Sequence, residues 1–153
     1  MSAATPQNLS RKDHEMAMTE VSFLMDIFAS TIDDLMGGAI APVGRIAGRN
    51  HGKKMPVYLP DPKLEEVIQV AARQMHRGFD FCGESCTSSG AVIRFRRCVI
   101  RKVCASRQLE LGGTLCRLLH AYLDGVFNEL TARPTKSIIE SAGEECRICL
   151  EMQ

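Results

Sequence analysis

Residues 39–55, AIAPVGRIAGRNHGKKM, constrain the fold more than any other stretch. They read as a helix, yet Gly44, Gly48 and Gly52 recur every four residues along one face of it. Glycine inside a helix costs about 1 kcal/mol relative to alanine, so three in register need a compensating contact. A face without side chains lets something come close: a sheet, a second helix or a ligand. Packing is the simpler reading. A small-residue wall beside a ligand cavity is the sharper one. Pairing of such a face inside a membrane is disfavoured, because Arg45, Arg49, Lys53 and Lys54 share the segment.

Five further segments emerge from hydrophobic period and turn chemistry. Residues 18–38 read as a helix ending at Gly37-Gly38, with a stripe of Val21, Leu24, Phe28, Leu35 and Met36, and Ile32 beside it. Phe23, Met25 and Ile27 widen that stripe until the helix asks for burial on two sides. One side is its own core. The other is either a partner subunit, giving a homodimer through this helix, or more of the same chain. Residues 61–78 form a one-sided helix, with Asp61 as N-cap, Pro62 in the first turn, and Leu64, Val67, Ile68, Ala71, Ala72 and Met75 facing inward.

Residues 79–107 read as two β-runs about a polar turn. In the second, Ile93, Phe95, Val99 and Val103 take one face, and Arg94, Arg96, Cys98, Lys102 and Cys104 the other. Arg97 and Arg101 interrupt it, so a bulge or a strand end is expected near residue 97. Residues 111–134 read as a helix buried through Leu115, Leu118, Leu119, Tyr122, Val126, Phe127 and Leu130. Residues 135–152 read as a closing hairpin turning at Ala142-Gly143. The expected class is α+β: an antiparallel sheet packed with helices, in one domain over residues 15–153, after a polar tail at 1–14.

The tail lacks the apolar segment of a signal peptide, and no run is long enough to span a membrane. A cytoplasmic location is the expectation. The odd count of seven cysteines does not suit a closed disulfide framework. A formal charge of +1 and the absence of Trp give no ground for a nucleic-acid partner. The basic run Arg94, Arg96, Arg97, Arg101, Lys102 and Arg107 reads as a solvated strand face, or else as an anion site. No nucleophile elbow, P-loop or dinucleotide fingerprint is present, and His14, His51, His76 and His120 are scattered, so hydrolytic or dehydrogenase activity has no visible machinery; whether the chain is an enzyme stays open, with a non-enzyme the favoured reading.

The sulfur is the remaining chemistry. Cys146-x-x-Cys149 near the last residue can be core, redox pair or half of a metal site. Strand parity sends the two thiols opposite ways unless the strand is bulged or starts at Cys146. Further ligands would be Cys116, Glu140, and Cys98 or Cys104 as alternatives. Cys116 and His120 share a helical face at i,i+4. The helix and closing hairpin would bring Cys116, Glu140, Cys146 and Cys149 to one corner. Such a thiolate-rich set favours zinc or an iron–sulfur cluster over magnesium or calcium. Cys82 and Cys86, in the polar turn, form a redox-sensitive pair or a second ligand pair.

Residues 115–152 resemble the C-terminal half of the 4-vinyl reductase (hydrocarbon-binding) domain family. The resemblance rests on Cys116 at the helix start, the Tyr122-x-x-Gly125 step, "LTARP", Glu140, and Gly143 followed by Cys146. The glycine-rich helix at 39–55 looks like that family's second helix. The resemblance implies a ligand-binding α+β fold, small and mostly hydrophobic ligands, and dimers. It also implies a structural zinc held by a helix cysteine, a glutamate and two cysteines. Cys116, Glu140 and Cys146 match three of those ligands. The chain departs at the fourth: the cysteine expected soon after the glutamate is missing and Cys149 appears instead. The combined expectation is a small-molecule binding or sensing domain with a cysteine-rich metal site, read by a partner protein. The alternative is an iron–sulfur protein for electron transfer, sensing or cofactor assembly.

Overall fold

The computed structural model of the chain describes residues 10–153. The element order is α1 (Arg11–Leu35), α2 (Ala41–Lys54), α3 (Leu64–Gln74), β1 (Phe79–Cys86), β2 (Gly90–Cys98), α4 (Val99–Arg107), α5 (Thr114–Thr131), β3 (Thr135–Ser141) and β4 (Cys146–Met152). The four strands form one antiparallel sheet in the order β1-β2-β4-β3. This is the expected α+β class. Among the described residues, no helix is long and apolar enough to cross a membrane.

One face of the sheet carries the core. Ile93 and Phe95 of β2 and Ile148 and Leu150 of β4 alternate inward and are fully buried. They meet Val67, Ile68 and Ala71 of α3, and Leu115, Leu119, Leu123 and Phe127 of α5. Phe81 stacks on Phe95 with ring centroids 4.8 Å apart. These side chains fill the layer between the central strands and α5.

The glycine face of α2 is explained by α5. A Cβ on Gly48 would run into the Tyr122 carbonyl oxygen and sit 3.0 Å from the Gly125 Cα; one on Gly44 would meet Ala121 at 2.8 Å. Gly125 faces the Arg45 carbonyl equally closely. The two helices touch backbone to backbone, which is the packing reading of that motif.

Two-sided burial therefore belongs to α5, between the sheet and α2. α1 buries only Ser22 and Ala29 fully, with Met25 and Ile32 partly covered, and leaves Val21, Leu24, Ile27 and Phe28 exposed. Its own-core side is present; among the described residues, nothing covers the second side.

Three details differ from expectation. α1 begins at Arg11, so residues 11–14 of the expected tail form its first turn. There Ser10 and Asp13 make a capping box, with Asp13 N donating to Ser10 Oγ at 3.2 Å and Ser10 N to Asp13 Oδ2 at 2.8 Å. Residues 1–9 of that tail lie outside the described residues. Asp61 is no N-cap: it takes a left-handed φ of +52°, and α3 starts after Lys63, whose N–H donates to Glu66. The strand does end near residue 97, but the chain continues directly into α4. Ile100, Val103 and Cys104 face inward at helical spacing, a pattern that the two-residue alternation obscured.

Candidate functional site

The final hairpin places the expected ligands apart. β4 pairs with β2 in unbroken register, from Cys146 opposite Phe95 to Glu151 opposite Gly90. Cys146 thus shares the core face with Ile148 and Leu150, and Cys149 points to the other face beside exposed Ile138. Glu140 is exposed at the β3 irregularity between Ile139 and Ser141. The Cys146 sulfur is 3.6 Å from Arg101 Nη2. That guanidinium also donates to the carbonyls of Phe95, Arg96 and Glu144. A fixed cation so close opposes a dication there. Among the described residues, no group of three or more His, Cys, Asp or Glu side chains is arranged to hold a metal ion. As folded, Cys116, Glu140, Cys146 and Cys149 do not fit a four-ligand site.

The thiols that do lie near each other are Cys98, Cys104 and Cys116, at the corner of β2, α4 and α5. All three are buried and free. Cys104 is pushed up to about 11 by burial and by the facing Cys116, with a smaller contribution from Cys98. Burial raises Cys98 as well. Cys82 and Cys86 lie in β1 rather than in the polar turn, and Cys86 is raised, by partial burial first and then by Glu65 and Cys82, so it is no low-pKa thiol.

The basic run is largely spent inside the fold. Arg94 pairs with Glu84 at 3.0 Å and Glu145 at 3.5 Å, Arg96 with Asp80 at 2.9 Å, and Arg107 with Asp26 at 3.7 Å. Arg97 donates to the carbonyls of His76 and Arg77.

A different site emerges where α2, α5 and β3 meet. His120 and Asp124, one turn apart on α5, are 7% and 3% exposed. The apolar face of α5 covers the sheet and its small face (Ala121, Gly125) covers α2, so these two fall on the flank toward β3. β3 fixes the carboxylate: the Ser137 N–H donates to Asp124 Oδ2 at 3.1 Å, and the Thr135 hydroxyl donates to the Asp124 carbonyl at 2.7 Å. His120 sets its ring edge-on to Phe95 at 5.8 Å.

Three atoms of this group are buried without a hydrogen-bond partner: His120 Nδ1, Asp124 Oδ1 and the Ser137 hydroxyl oxygen. All three residues line one cleft of about 370 Å³, walled also by Ala41, Ala121 and Ile139. A second cleft of about 430 Å³ adjoins it, sharing Arg45, Asp124 and Lys136. A larger hollow of about 470 Å³ lies between the loop before α3 and the β1–β2 turn, but among the described residues no buried unpartnered atom lines it. Orphaned buried polar atoms are uncommon in native folds and call for a cause.

Burial dominates the titration of both α5 groups. It pushes Asp124 up to about 6, against the opposing pull of Ser137, Arg45 and Lys136. It pushes His120 down to about 4. At neutral pH the cleft thus offers a neutral imidazole, a hydroxyl and a carboxylate that gains from any donor brought to Oδ1. Sequence reasoning passed over these residues, taking His120 only as a possible neighbour of Cys116. The available signal was a His and an Asp at i,i+4 in an otherwise apolar helix, flanking the small pair Ala121 and Gly125.

No family model matches the chain, and no curated protein matches it. Among solved structures, the phenol-responsive sensory domain of the transcription activator PoxR, with phenol, matches with a TM-score of 0.61 at 12% identity. The match covers 88% of this chain and 74% of that one. The likeness is one of fold.

Proposed function

We propose that this chain is a small-molecule-binding sensory module of the 4-vinyl reductase kind, with its ligand in the cleft between α2, α5 and β3. The observation that carries the reading is that His120, Asp124 and Ser137, each with a buried side-chain atom that lacks a hydrogen-bond partner, line one cleft. A ligand group placed there satisfies atoms whose isolation costs the fold roughly 1–3 kcal/mol each. Small apolar residues around them suit the hydrophobic body of such a molecule. The shared fold with a phenol-responsive domain supports the reading. The output passes through a homodimer formed by α1 and a partner protein that reads the bound state. Thermal-shift titration with phenol, benzoate and the three hydroxybenzoates tests it. At least one probe should raise the melting temperature, and Asp124→Asn should weaken it at least tenfold. Binding that Asp124→Asn and Ser137→Ala both leave unchanged would remove the ligand from this cleft.

A metal centre is the second reading, favoured by the three neighbouring buried thiols Cys98, Cys104 and Cys116. Zinc or an iron–sulfur unit there would need side-chain rearrangement and deprotonation of Cys104. Metal and sulfide analysis of anaerobically purified protein tests it. Stoichiometric metal that is lost in Cys104→Ser and kept in Cys149→Ser supports the thiol corner. Loss in Cys149→Ser instead restores the hairpin set.

A further inference from the structure

The charges around the cleft specify more than a small ligand. Arg45 of α2 and Lys136 of β3 flank Asp124 and line both adjoining hollows. Among the described residues, neither has a carboxylate within ion-pair distance. Their neighbours are matched: Arg49 pairs with Glu129 at 3.7 Å, and Arg117 with Asp33 at 3.1 Å. Asp124 does not complete the pairing. Its Oδ2 is taken by the Ser137 amide, the Ser137 hydroxyl lies close enough to pull its titration down, and its Oδ1 is buried without a hydrogen-bond partner. Two cations without a carboxylate partner thus share the cleft wall with three residues that carry buried, unpartnered polar atoms.

An anion answers the two cations, and a hydroxyl answers the buried polar atoms. A hydroxyl can donate to Asp124 Oδ1 and accept from the Ser137 hydroxyl or from a protonated His120 Nδ1. The same cleft is walled by the apolar side chains of Ala41, Ala121 and Ile139, which accept a carbon skeleton. A plain apolar molecule would leave both sets unsatisfied. A simple anion such as phosphate would answer the cations and leave the buried atoms unsatisfied.

We propose that the ligand of this cleft is a small hydroxyl-bearing organic acid, its carboxylate held by Arg45 and Lys136 and its hydroxyl by Asp124, Ser137 and His120. This rests on the cleft being the ligand seat and names the ligand class for it. The carboxylate supplies the missing counter-charge as a charge-assisted pair, bidentate where it meets the Arg45 guanidinium.

Calorimetric titration of the full chain at pH 7.5 with 2-, 3- and 4-hydroxybenzoate, phenol and benzoate tests the class. One hydroxybenzoate isomer should bind at least tenfold tighter than either phenol or benzoate. Arg45→Met and Lys136→Met should each weaken that isomer fivefold or more and leave phenol unchanged. Asp124→Asn should weaken the isomer and phenol but not benzoate. Circular dichroism and melting temperature confirm that each variant folds. Phenol binding as tightly as the best isomer, with Arg45→Met neutral, overturns the acid and leaves the seat intact. Hydroxybenzoate binding that Asp124→Asn does not alter overturns the seat itself. No binding by any isomer up to about 10 mM, a range in which even a weak millimolar complex of about 4 kcal/mol registers, overturns the proposal.

Discussion

At the residue scale, Asp124 and His120 pull stability in opposite directions with pH. Asp124 rises from the ordinary carboxylate value of 3.8 to about 6 in the fold. The native state then holds the proton more tightly than the unfolded chain, so stability falls as pH rises from about 4 to 6. His120 drops from 6.5 to about 4, so its native state binds fewer protons, and stability rises with pH over about 4 to 6.5. Each shift corresponds to about 3 kcal/mol at most. The groups facing Asp124 are Ser137 and Lys136 from β3 and Arg45 from α2. In the wild type the two slopes largely cancel between pH 4 and 6. Asp124→Asn keeps an acceptor for the Ser137 amide while removing the buried charge. It should gain about 2 kcal/mol at pH 7 and leave a stability that climbs from pH 4 to 6.5. His120→Gln should leave one that declines from pH 4 to 6. Urea unfolding at pH 4.5, 5.5 and 7 reads both; parallel pH profiles in the three proteins would refute the opposition.

At the element scale, the α2–α5 contact sets the cleft width. Gly48→Ala places a methyl against the Tyr122 carbonyl group and 3.0 Å from the Gly125 Cα, and neither is a flexible side chain. The helices must part, and we expect a loss of about 3 kcal/mol with weaker binding of any cleft ligand. Equilibrium unfolding checks the first, and unchanged stability would mean that α2 shifts freely. This contact was legible in the sequence, because glycine periodicity has few causes in a helix. The sheet was legible too, from turn chemistry and alternation. α4 was not: Val99 and Val103 mimic a strand face, and only Ile100, Val103 and Cys104 together give the helical spacing. The choice between α1 and α5 as the two-sided helix was also hidden. Apolar girth marks an exposed partner surface and a buried helix alike, whereas the real burial of α5 came through Ala121 and Gly125. For the thiol set, β4 does start at Cys146, yet Cys146 keeps the ladder register opposite Phe95, so parity puts it on the core face and Cys149 on the other.

At the scale of the whole molecule, α1 is the part that looks outward. Its 25 residues run about 37 Å. Asp26 and Asp33 tie its inner side to Arg107 and Arg117, and Arg107 also lies over the Phe23 ring at 4.8 Å. Its outer side shows Val21, Leu24, Ile27 and Phe28, the last 62% exposed, with Leu35 81% exposed at the end. A strip so long and apolar is unusual on a monomer. Laid against a second copy across a two-fold axis, it meets an identical apolar strip, and two such helices can bury about 800 Å² on each partner, a standard interface. The strip is also wired to the cleft. Arg117, which lines it, bonds both Asp33 of α1 and the Gly38 carbonyl, and Thr114 at the start of α5 donates to the same Asp33. In the proposed dimer, a ligand that moves Arg117 would act on the end of α1 and so on the pairing of the two copies. Leu24→Glu with Phe28→Glu should turn a dimer into a folded monomer in sedimentation equilibrium, with the far-ultraviolet spectrum unchanged. In the wild type, a cleft ligand should change the dimer dissociation constant by about fivefold or more, the range of about 1 kcal/mol of coupling. A wild-type chain that stays monomeric at 100 µM, roughly a hundredfold above a micromolar dimer constant, would leave α1 to a different partner.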